Sequence, residues 1–397
     1  MDDLKKSKVD EALEALAEGV KELFNSETYE KYLFMMSKFP HYSARNTLLI
    51  QLQRPDAELI CGYQEWQRTF HRFVKKGEKS ITILAPCPYK KWVYTDKVDD
   101  KTGDVIRNAD GTPQKESKQI IISAFKPVSV FDISQTDGDP LPTLGVSQLE
   151  GDVAQYDDLM EALKRTSPVP ISFENIEGSA KGYFSPGENR IVIRKGMEQL
   201  QTVKTVIHEL THSLLHGKEA SPVEGVTPCE KDRMTQEVEA ESTAFVVSKY
   251  FGFDTSEYSF GYIAGWSSGK EAKELLDSLD TIRLTAHHTI GRIEAELCAI
   301  SEERQERELT QLASEIAELL LPAEKMSTEE IRKMIVSGDV TEILVSLGNA
   351  LVESYTSGVT EHINDVVTRL NQYIPEDGDP ERTQEAIVPR KPLAQHL

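Results

Sequence analysis

The sequence contains the stretch Val206-Ile-His208-Glu209-Leu-Thr-His212-Ser-Leu-Leu-His216-Gly217, which decides the fold of the region around it. Apolar residues recur there every three or four positions, which predicts an amphipathic helix over about residues 197–216. Gly217 is a residue type suited to the left-handed position past a helix end. Because side chains four residues apart share one face of a helix, His208 and His212 can present imidazole nitrogens to one metal ion.

Glu209 gives this helix a chemical group beside the two histidines. It lies about 100° around the helix from His208, so its carboxylate can reach a metal-bound water without taking a coordination position. The alternative is an ordinary amphipathic helix with two chance histidines, but two histidines flanking a glutamate at this spacing seldom arise by accident. We therefore predict a Zn²⁺ site in a hydrolase, with Glu209 as the catalytic general base.

A catalytic zinc site needs a third protein ligand and an open position for water. A second predicted helix, over about residues 231–250, places Glu237 and Glu241 on one face, so one could bind the metal and the other could orient a ligand imidazole. Glu239 points elsewhere and is expected to be a solvated surface charge. His216 is the rival third ligand, but three ligands from one straight helix fit a tetrahedral site poorly.

Length and composition bound the remaining possibilities. At 397 residues, with 39% hydrophobic and 28% charged residues, the chain fits a globular protein of two or three domains. It has neither an apolar signal core at its start nor a run of about 20 apolar residues, so we expect a cytoplasmic protein with no membrane partner. The net charge of −21 argues against a general nucleic-acid binder, although basic residues outnumber acidic ones between Asn25 and Lys91.

The order of predicted elements indicates an α+β fold in several parts. A mixed module of helices and strands is followed by a linker around Asp139 to Leu149, where Pro and Gly residues cluster. The predicted divisions are a mixed module at 1–140, the domain with the paired histidines at 150–300, a helical extension at 301–374 and a disordered tail at 375–397.

The metal motif carries a family resemblance. His208-Glu209-x-x-His212 followed by Glu237-x-x-x-Glu241 resembles the gluzincin metallopeptidases, and Gly182-Tyr-Phe with the strand Arg190 to Arg194 resembles their ImmA/IrrE-like members. The resemblance implies a zincin-like metallopeptidase domain, with Glu237 as the third zinc ligand and Glu241 as the carboxylate that orients a ligand. It also implies a protein or peptide substrate, which would pair with the strand before the metal helix as a sheet edge. At position 241 the family usually has Asp or Asn.

The first module resembles the N-terminal domain of ArdC-type antirestriction proteins over about residues 28–138. The motifs are Tyr42-Ser43-x-x-Asn46, Gly62-Tyr63-x-x-Trp66, Val74-Lys-Lys-Gly77 and Phe131-Asp132-Ile133-x-Gln135. The resemblance implies a module that binds single-stranded DNA ahead of a metallopeptidase domain, in an antirestriction or DNA-protection protein of a mobile or conjugative element. Two alternatives remain open: a DNA-binding antirestriction protein whose metal site is not catalytic, and a peptidase that cleaves a repressor.

A single-strand site needs cations along the backbone path and aromatic faces for base stacking. The first module supplies both between positions 42 and 79, and the predicted contacts are Tyr42, Arg45, Trp66, Arg72, Lys75, Lys76 and Lys79. The same residues also fit a core built around Trp66, Phe70 and Phe73 with the lysines on a solvated face.

Overall fold

The structure is a computed structural model, and it describes most of the chain. The residues described are 8–98, 103–108, 110–140, 153–217, 223–227, 231–255, 258, 260–320, 326–338, 340–353 and 357–373. Most of the predicted linker and the whole of the predicted disordered tail lie outside these residues.

The first part of the chain mixes helices and strands, as the sequence predicted. Its helices are α1 (Lys8–Leu23), α2 (Ser26–Lys38), α3 (Ala44–Gln53) and α4 (Tyr63–Arg68). Its strands are β1 (Ile60–Gly62), β2 (Arg72–Val74), β3 (Ile81–Pro86), β4 (Tyr89–Asp96), β5 (Lys115–Ile122), β6 (Phe125–Asp132) and β7 (Thr136–Gly138).

Among its described residues, the second part contains one three-stranded sheet and a series of helices. Its elements up to the second metal-motif helix are α5 (Val153–Thr166), β8 (Ile171–Glu174), β9 (Gly182–Ser185), β10 (Arg190–Arg194), α6 (Gln199–His216) and α7 (Arg233–Tyr250). The remaining helices are α8 (Ile263–Ser267), α9 (Ala272–Leu320), α10 (Thr328–Ser337), α11 (Thr341–Glu353) and α12 (Ser357–Leu370). The α+β fold class is confirmed.

The chain divides into two compact units that are discontinuous in sequence. The first comprises Met1–Pro142, Val223–Tyr250 and Asp254–His287, and the second comprises Thr143–Pro222, Phe251–Phe253 and His288–Leu397. The sequence had predicted consecutive domains with a boundary at 300–301, but α9 runs through that position without a break.

The first unit is built on a three-stranded antiparallel sheet in the order β1-β6-β3. Two side chains of α3 cover the outer edge of β3. The amide of Asn46 donates to the main-chain oxygen of Leu84 at 3.0 Å and accepts from the Leu84 N–H at 2.9 Å. Gln53 makes the same pair of bonds with Thr82, both at 2.9 Å. Because paired edges do not attract another strand, these amides close the sheet on this side.

Asp132 ends β6 with a buried carboxylate that organises the chain on both sides of it. The carboxylate accepts the main-chain N–H groups of Glu58 at 2.8 Å and Leu59 at 3.2 Å, and that of Ser134 at 3.0 Å. The Gln135 side chain accepts the N–H of Asp132 at 2.9 Å, which completes a capping box. The carboxylate therefore ties β1 to the turn that follows β6.

The second unit contains the sheet β8-β10-β9, in which β10 is parallel to β8 and antiparallel to β9. The strand that precedes the metal-motif helix is thus central, so the expectation that it is the sheet edge is wrong. Its backbone is paired on both sides, and the edge strands among the described residues are β8 and β9.

Glycines at two positions allow close packing around α6. A Cβ atom at Gly182 in β9 would lie 2.7 Å from a methyl group of Thr205 in α6. At the end of α6, Gly217 has φ −66°, so the predicted left-handed cap is wrong. A Cβ atom there would lie 2.8 Å from the main-chain oxygen of Ser213, and this contact explains the glycine.

The C-terminal helices have a hydrophobic core of their own within the second unit. It contains, among others, Leu312 and Ile316 of α9, Ile331 of α10, Ile343 of α11 and Val366 of α12. Among the described residues, no helix combines the length and the apolar character that a bilayer span requires.

Candidate metal centre

Helix α6 presents its two predicted histidines side by side. The Nε2 atoms of His208 and His212 lie 3.1 Å apart, and the two ring centres lie 4.8 Å apart. This is the geometry that a spacing of four residues gives on a helix. The opposite face of α6 is held by core residues, including Val206, Leu210 and Leu214, which are all buried.

Glu209 lies next to the histidine pair and is shielded from solvent, with 8% of its surface exposed. The structure therefore places a potential proton acceptor beside two potential metal ligands.

Helix α7 carries the predicted carboxylates. Tyr29 of α2 fixes this helix, because its hydroxyl lies 2.8 Å from the Ser242 Oγ in the buried contact between α2 and α7. Glu237 and Glu241 are one helical turn apart and both act on Tyr262, whose pKa is raised by burial and then by these two negative charges. A tyrosine in this environment keeps its proton and can donate a hydrogen bond.

The expectation for Glu239 is wrong. Its side chain is fully buried, not solvated, and its carboxylate accepts from the Lys231 Nζ at 2.6 Å and from the Ser278 Oγ at 2.9 Å. Three consecutive odd-numbered glutamates look alike in sequence, but the middle one faces α9 because residues two apart point in different directions on a helix. Glu239 thus anchors α7 to α9.

One ligand atom from each of His208, His212 and Glu237 lies within 4.8 Å of the others. In the part of the chain that the structure describes, this is the group of His, Cys, Asp and Glu side chains with metal-binding spacing. Two imidazoles and one carboxylate form a donor set suited to a catalytic Zn²⁺ ion.

His216 lies on the other side of His212. Its Nδ1 is 3.1 Å from the Nδ1 of His212, whereas the Nε2 of His212 faces His208. A hydrogen bond at the second ring nitrogen fixes the tautomer and orientation of an imidazole. The geometry therefore gives His216 an orienting contact to His212.

The predicted DNA contact at Trp66 is wrong. Its side chain is fully buried and its indole N–H donates to the main-chain oxygen of Phe131 at 2.9 Å, so the ring cannot stack on a base. The alternative interpretation of Trp66 and Phe70 as core residues is correct, but Phe73 is exposed.

Most of the other predicted contacts are engaged with the protein itself. The Tyr42 hydroxyl donates to the main-chain oxygen of Ile60 at 3.2 Å, and burial raises its pKa to about 12. Arg72 donates to the Thr136 Oγ1 at 2.8 Å. Arg45 is half-buried, whereas Lys75, Lys76 and Lys79 are exposed.

Lys75 is partly committed to the protein as well. Its Nζ donates to the main-chain oxygen of Ser134 at 3.0 Å and lies 3.5 Å from a carboxylate oxygen of Asp137. Of the predicted cations, Lys76 and Lys79 are exposed and form no ion pair with any residue that the structure describes.

Comparisons with protein families match two consecutive segments. Residues 3–131 match the family model described as the N-terminal domain of anti-restriction factor ArdC. Residues 138–250 match a model described as "Putative metallopeptidase family (DUF6782)", and this segment includes His208, His212, Glu209, Glu237 and Glu241.

Individual relatives are more distant. An uncharacterized protein of Bacillus anthracis is 27% identical over 333 residues, covering 76% of this chain and 54% of that protein, so the chain spans about half the length of this curated relative. The metal-free crystal structure of the antirestriction protein ArdC from plasmid R388 is 19% identical, with a TM-score of 0.37. Its Mn(II)-bound structure is 16% identical, with a TM-score of 0.38; each match covers 64% of this chain and 85% of that one.

The two family matches confirm the predicted resemblance to the ArdC-type antirestriction proteins: residues 3–131 are similar to the ArdC N-terminal domain, and residues 138–250 are similar to a "Putative metallopeptidase family".

Proposed function

We propose that this protein is a zinc-dependent peptidase with an N-terminal module that binds single-stranded DNA, and that it protects incoming DNA of a mobile element from restriction. The observation that carries the proposal is the convergence of His208, His212 and Glu237, whose ligand atoms lie within 4.8 Å of one another. The match of residues 138–250 to a metallopeptidase family supports the peptidase assignment.

His208, His212 and Glu237 would hold the ion, and two imidazoles with one carboxylate favour Zn²⁺ over Mg²⁺ or Ca²⁺, which prefer all-oxygen sites. A bound zinc ion supplies Lewis-acid chemistry, because it lowers the pKa of a coordinated water to about 7 and polarises a carbonyl group.

The protein's own residues would then manage the protons. Glu209 accepts a proton from the attacking water as the new C–O bond forms, and donates it to the nitrogen of the leaving amine as the C–N bond breaks. His216 keeps His212 in the required orientation through its Nδ1 contact. The edge strand β9 offers main-chain groups with which an extended peptide could pair.

The N-terminal module would bind single-stranded DNA. The match of residues 3–131 to the ArdC N-terminal domain supports this part of the proposal, as do the exposed lysines Lys76 and Lys79. Phosphate contacts by lysine are expected to make the affinity fall steeply as salt is added, because each contact releases counterions.

Metal analysis of the purified protein tests the proposed site. We expect one zinc per chain, and each of His208→Ala, His212→Ala and Glu237→Ala should lose most of it, because two ligands hold zinc far more weakly than three. His216→Ala is the comparison variant: it removes an imidazole from the same helix but no proposed ligand, so it should keep more zinc than the other three variants, with affinity weakened only by the loss of its contact to His212. Zinc retained in Glu237→Ala but lost in His216→Ala would show that His216 is the third ligand instead.

A further inference from the structure

Strands β4 and β5 form an antiparallel ribbon that leaves the core of the first unit. The main-chain N–H of Cys87 donates to the oxygen of Ala124 at 2.7 Å, which continues the β3–β6 ladder into the pairing of Tyr89 with Ile122. Eight residue pairs follow, so the ribbon is about 25 Å long. It is anchored at its base by the sheet of the first unit.

Neither face of this ribbon is packed against the rest of the structure described. Trp92 is 63% exposed and Tyr94 is 79% exposed, and both lie on the face that also carries Ile121 at 68%. Tyr89 on the other face is exposed as well. A two-stranded ribbon is marginally stable by itself, and clustered exposed aromatic rings mark an interaction surface more often than a solvated one.

The charges of the ribbon indicate what it binds. Strands β4 and β5 carry four lysines (Lys90, Lys91, Lys115 and Lys118) against two acidic residues (Asp96 and Glu116), although the whole chain has a net charge of −21. Near the tip Lys115 pairs with Asp96, whereas Lys90, Lys91 and Lys118 form no ion pair with any residue that the structure describes. Aromatic faces interleaved with unpaired cations are the combination that binds single strands with little sequence preference, since rings stack on bases and cations neutralise phosphates.

We infer that the β4–β5 ribbon is the surface on which single-stranded DNA stacks, with Trp92 and Tyr94 as the stacking residues and Lys90, which lies on the same face, as the phosphate contact beside them; Lys91 and Lys118 lie on the opposite face. This inference rests on the proposed DNA-binding function and changes its location. The surface predicted from sequence around positions 42–79 holds a buried Trp66 and a Tyr42 whose hydroxyl is bonded to the main chain. The ribbon contributed none of the residues in that prediction.

The three tryptophans of the chain allow a direct test. Trp66 and Trp266 are buried and Trp92 is exposed, so Trp92 is the tryptophan whose emission a bound base can quench. Titration of the full chain with oligo-dT should quench the tryptophan emission, and the quenched part should be absent in Trp92→Phe. Binding of the oligonucleotide, seen by the anisotropy of a labelled copy, without any quenching of Trp92 would overturn the inference.

A pair of double variants compares the two surfaces. Trp92→Ala/Tyr94→Ala should weaken oligo-dT binding by at least about 5- to 150-fold, the range expected for the loss of one stacked base. Tyr63→Ala/Phe73→Ala is the matched control, because it removes two exposed rings from the surface around positions 42–79 of the same module. All four rings are exposed, so circular dichroism should show both variants folded.

The outcomes separate the ribbon from the function it serves. If only the Tyr63/Phe73 variant loses affinity, or if the Trp92/Tyr94 variant binds oligo-dT like the wild type, the ribbon is not the DNA-binding surface, although the DNA-binding proposal stands. Wild-type affinity in the Trp92/Tyr94 variant is the result expected if the ribbon contacts a protein. Failure of the wild-type chain to bind oligo-dT at low salt overturns both.

Discussion

Two regions of this molecule carry recognisable sequence motifs, and the motif residues do different things in each. In α6, His208 and His212 direct their Nε2 atoms toward each other at 3.1 Å, and both residues are half-buried. In the N-terminal module, Asn46, Trp66 and Asp132 turn inward and bond to main-chain groups. The residues of the first motif are candidate metal ligands, whereas those of the second hold the fold together through hydrogen bonds to the main chain; we call the latter braces.

A sequence motif locates a functional site only where local geometry fixes the direction of its side chains. A helix places residues four apart on one face whatever surrounds it, so the spacing of the histidines is sufficient to bring their rings together. The direction of a side chain in a mixed module depends on which strand or helix covers it. For this reason the N-terminal motif predicts the fold of its module, whereas the proposed DNA surface lies on a ribbon outside the motif.

The largest effect is expected at Glu209, the proposed general base of α6. If α6 carries chemistry, Glu209→Gln should reduce hydrolysis of unfolded casein by about 10²- to 10⁴-fold, because a neutral amide cannot accept the proton from water. Zinc content and the melting temperature should stay at wild-type values. The rate is measured as release of primary amines, with Glu177→Gln, an exposed glutamate of the same unit, as the control.

Two results would count against this role. Wild-type turnover in Glu209→Gln would remove the residue from the mechanism. Zinc-loaded wild-type protein that protects DNA without cleaving any protein would favour the alternative in which the metal site is not catalytic.

The two tryptophans of the N-terminal module allow a buried structural residue, Trp66, to be compared with an exposed one, Trp92. Trp66→Ala should lower the free energy of unfolding by about 3–5 kcal/mol. It leaves a cavity at a fully buried site and removes the indole N–H that donates to the main-chain oxygen of Phe131. Trp92→Ala should change it by no more than about 0.5 kcal/mol, as expected for an exposed ring. Urea unfolding followed by circular dichroism measures both. An equal loss in the two variants would mean that the ribbon packs against the protein.

Several features of the fold were accessible from the sequence because they depend on local rules. The strand at Arg190–Arg194 and the helix that follows it were predicted to within two residues, since alternation and helical periodicity are both strong there. The early helices α1, α2 and α3 lie within the module that was predicted to mix helices and strands.

Other features depend on tertiary neighbours and could not be predicted in the same way. The burial of Glu239 requires Lys231 and Ser278, which come from two other parts of the chain. Strand β10 is central because β8 pairs with it in parallel. A short apolar strand has the same sequence pattern at the edge and at the centre of a sheet, so the sequence could not distinguish the two positions. The sequence prediction placed a domain boundary inside α9. This helix faces different partners along its 49 residues, so it lacks the single continuous apolar face by which a long helix is recognised in sequence.

The smallest expected effect is at Asp132, and it tests whether this motif residue stabilises the fold. Its carboxylate is buried, and burial opposes its ionisation, but the hydrogen bonds from Ser134 and from the main chain of Glu58 and Leu59 outweigh this and lower its pKa below the ordinary value of 3.8. Asp132→Ala should therefore destabilise the protein by about 1–3 kcal/mol at neutral pH, because several buried N–H groups lose their acceptor. Asp137→Ala, an exposed aspartate of the same module, is the control and should have little effect.

The pH dependence identifies the carboxylate as the cause. A pKa lower in the folded than in the unfolded protein gives stability that is complete above about pH 4 and is lost as the pH falls through the folded value. The difference in unfolding free energy between wild type and Asp132→Ala should thus be constant near neutrality and shrink below about pH 4. If the difference persists unchanged at low pH, the side chain acts through its shape and not its charge. A binding residue would show the reverse pattern: wild-type stability at every pH and a loss confined to DNA affinity. The unfolding curves of one variant at two pH values therefore decide whether this motif residue braces the fold.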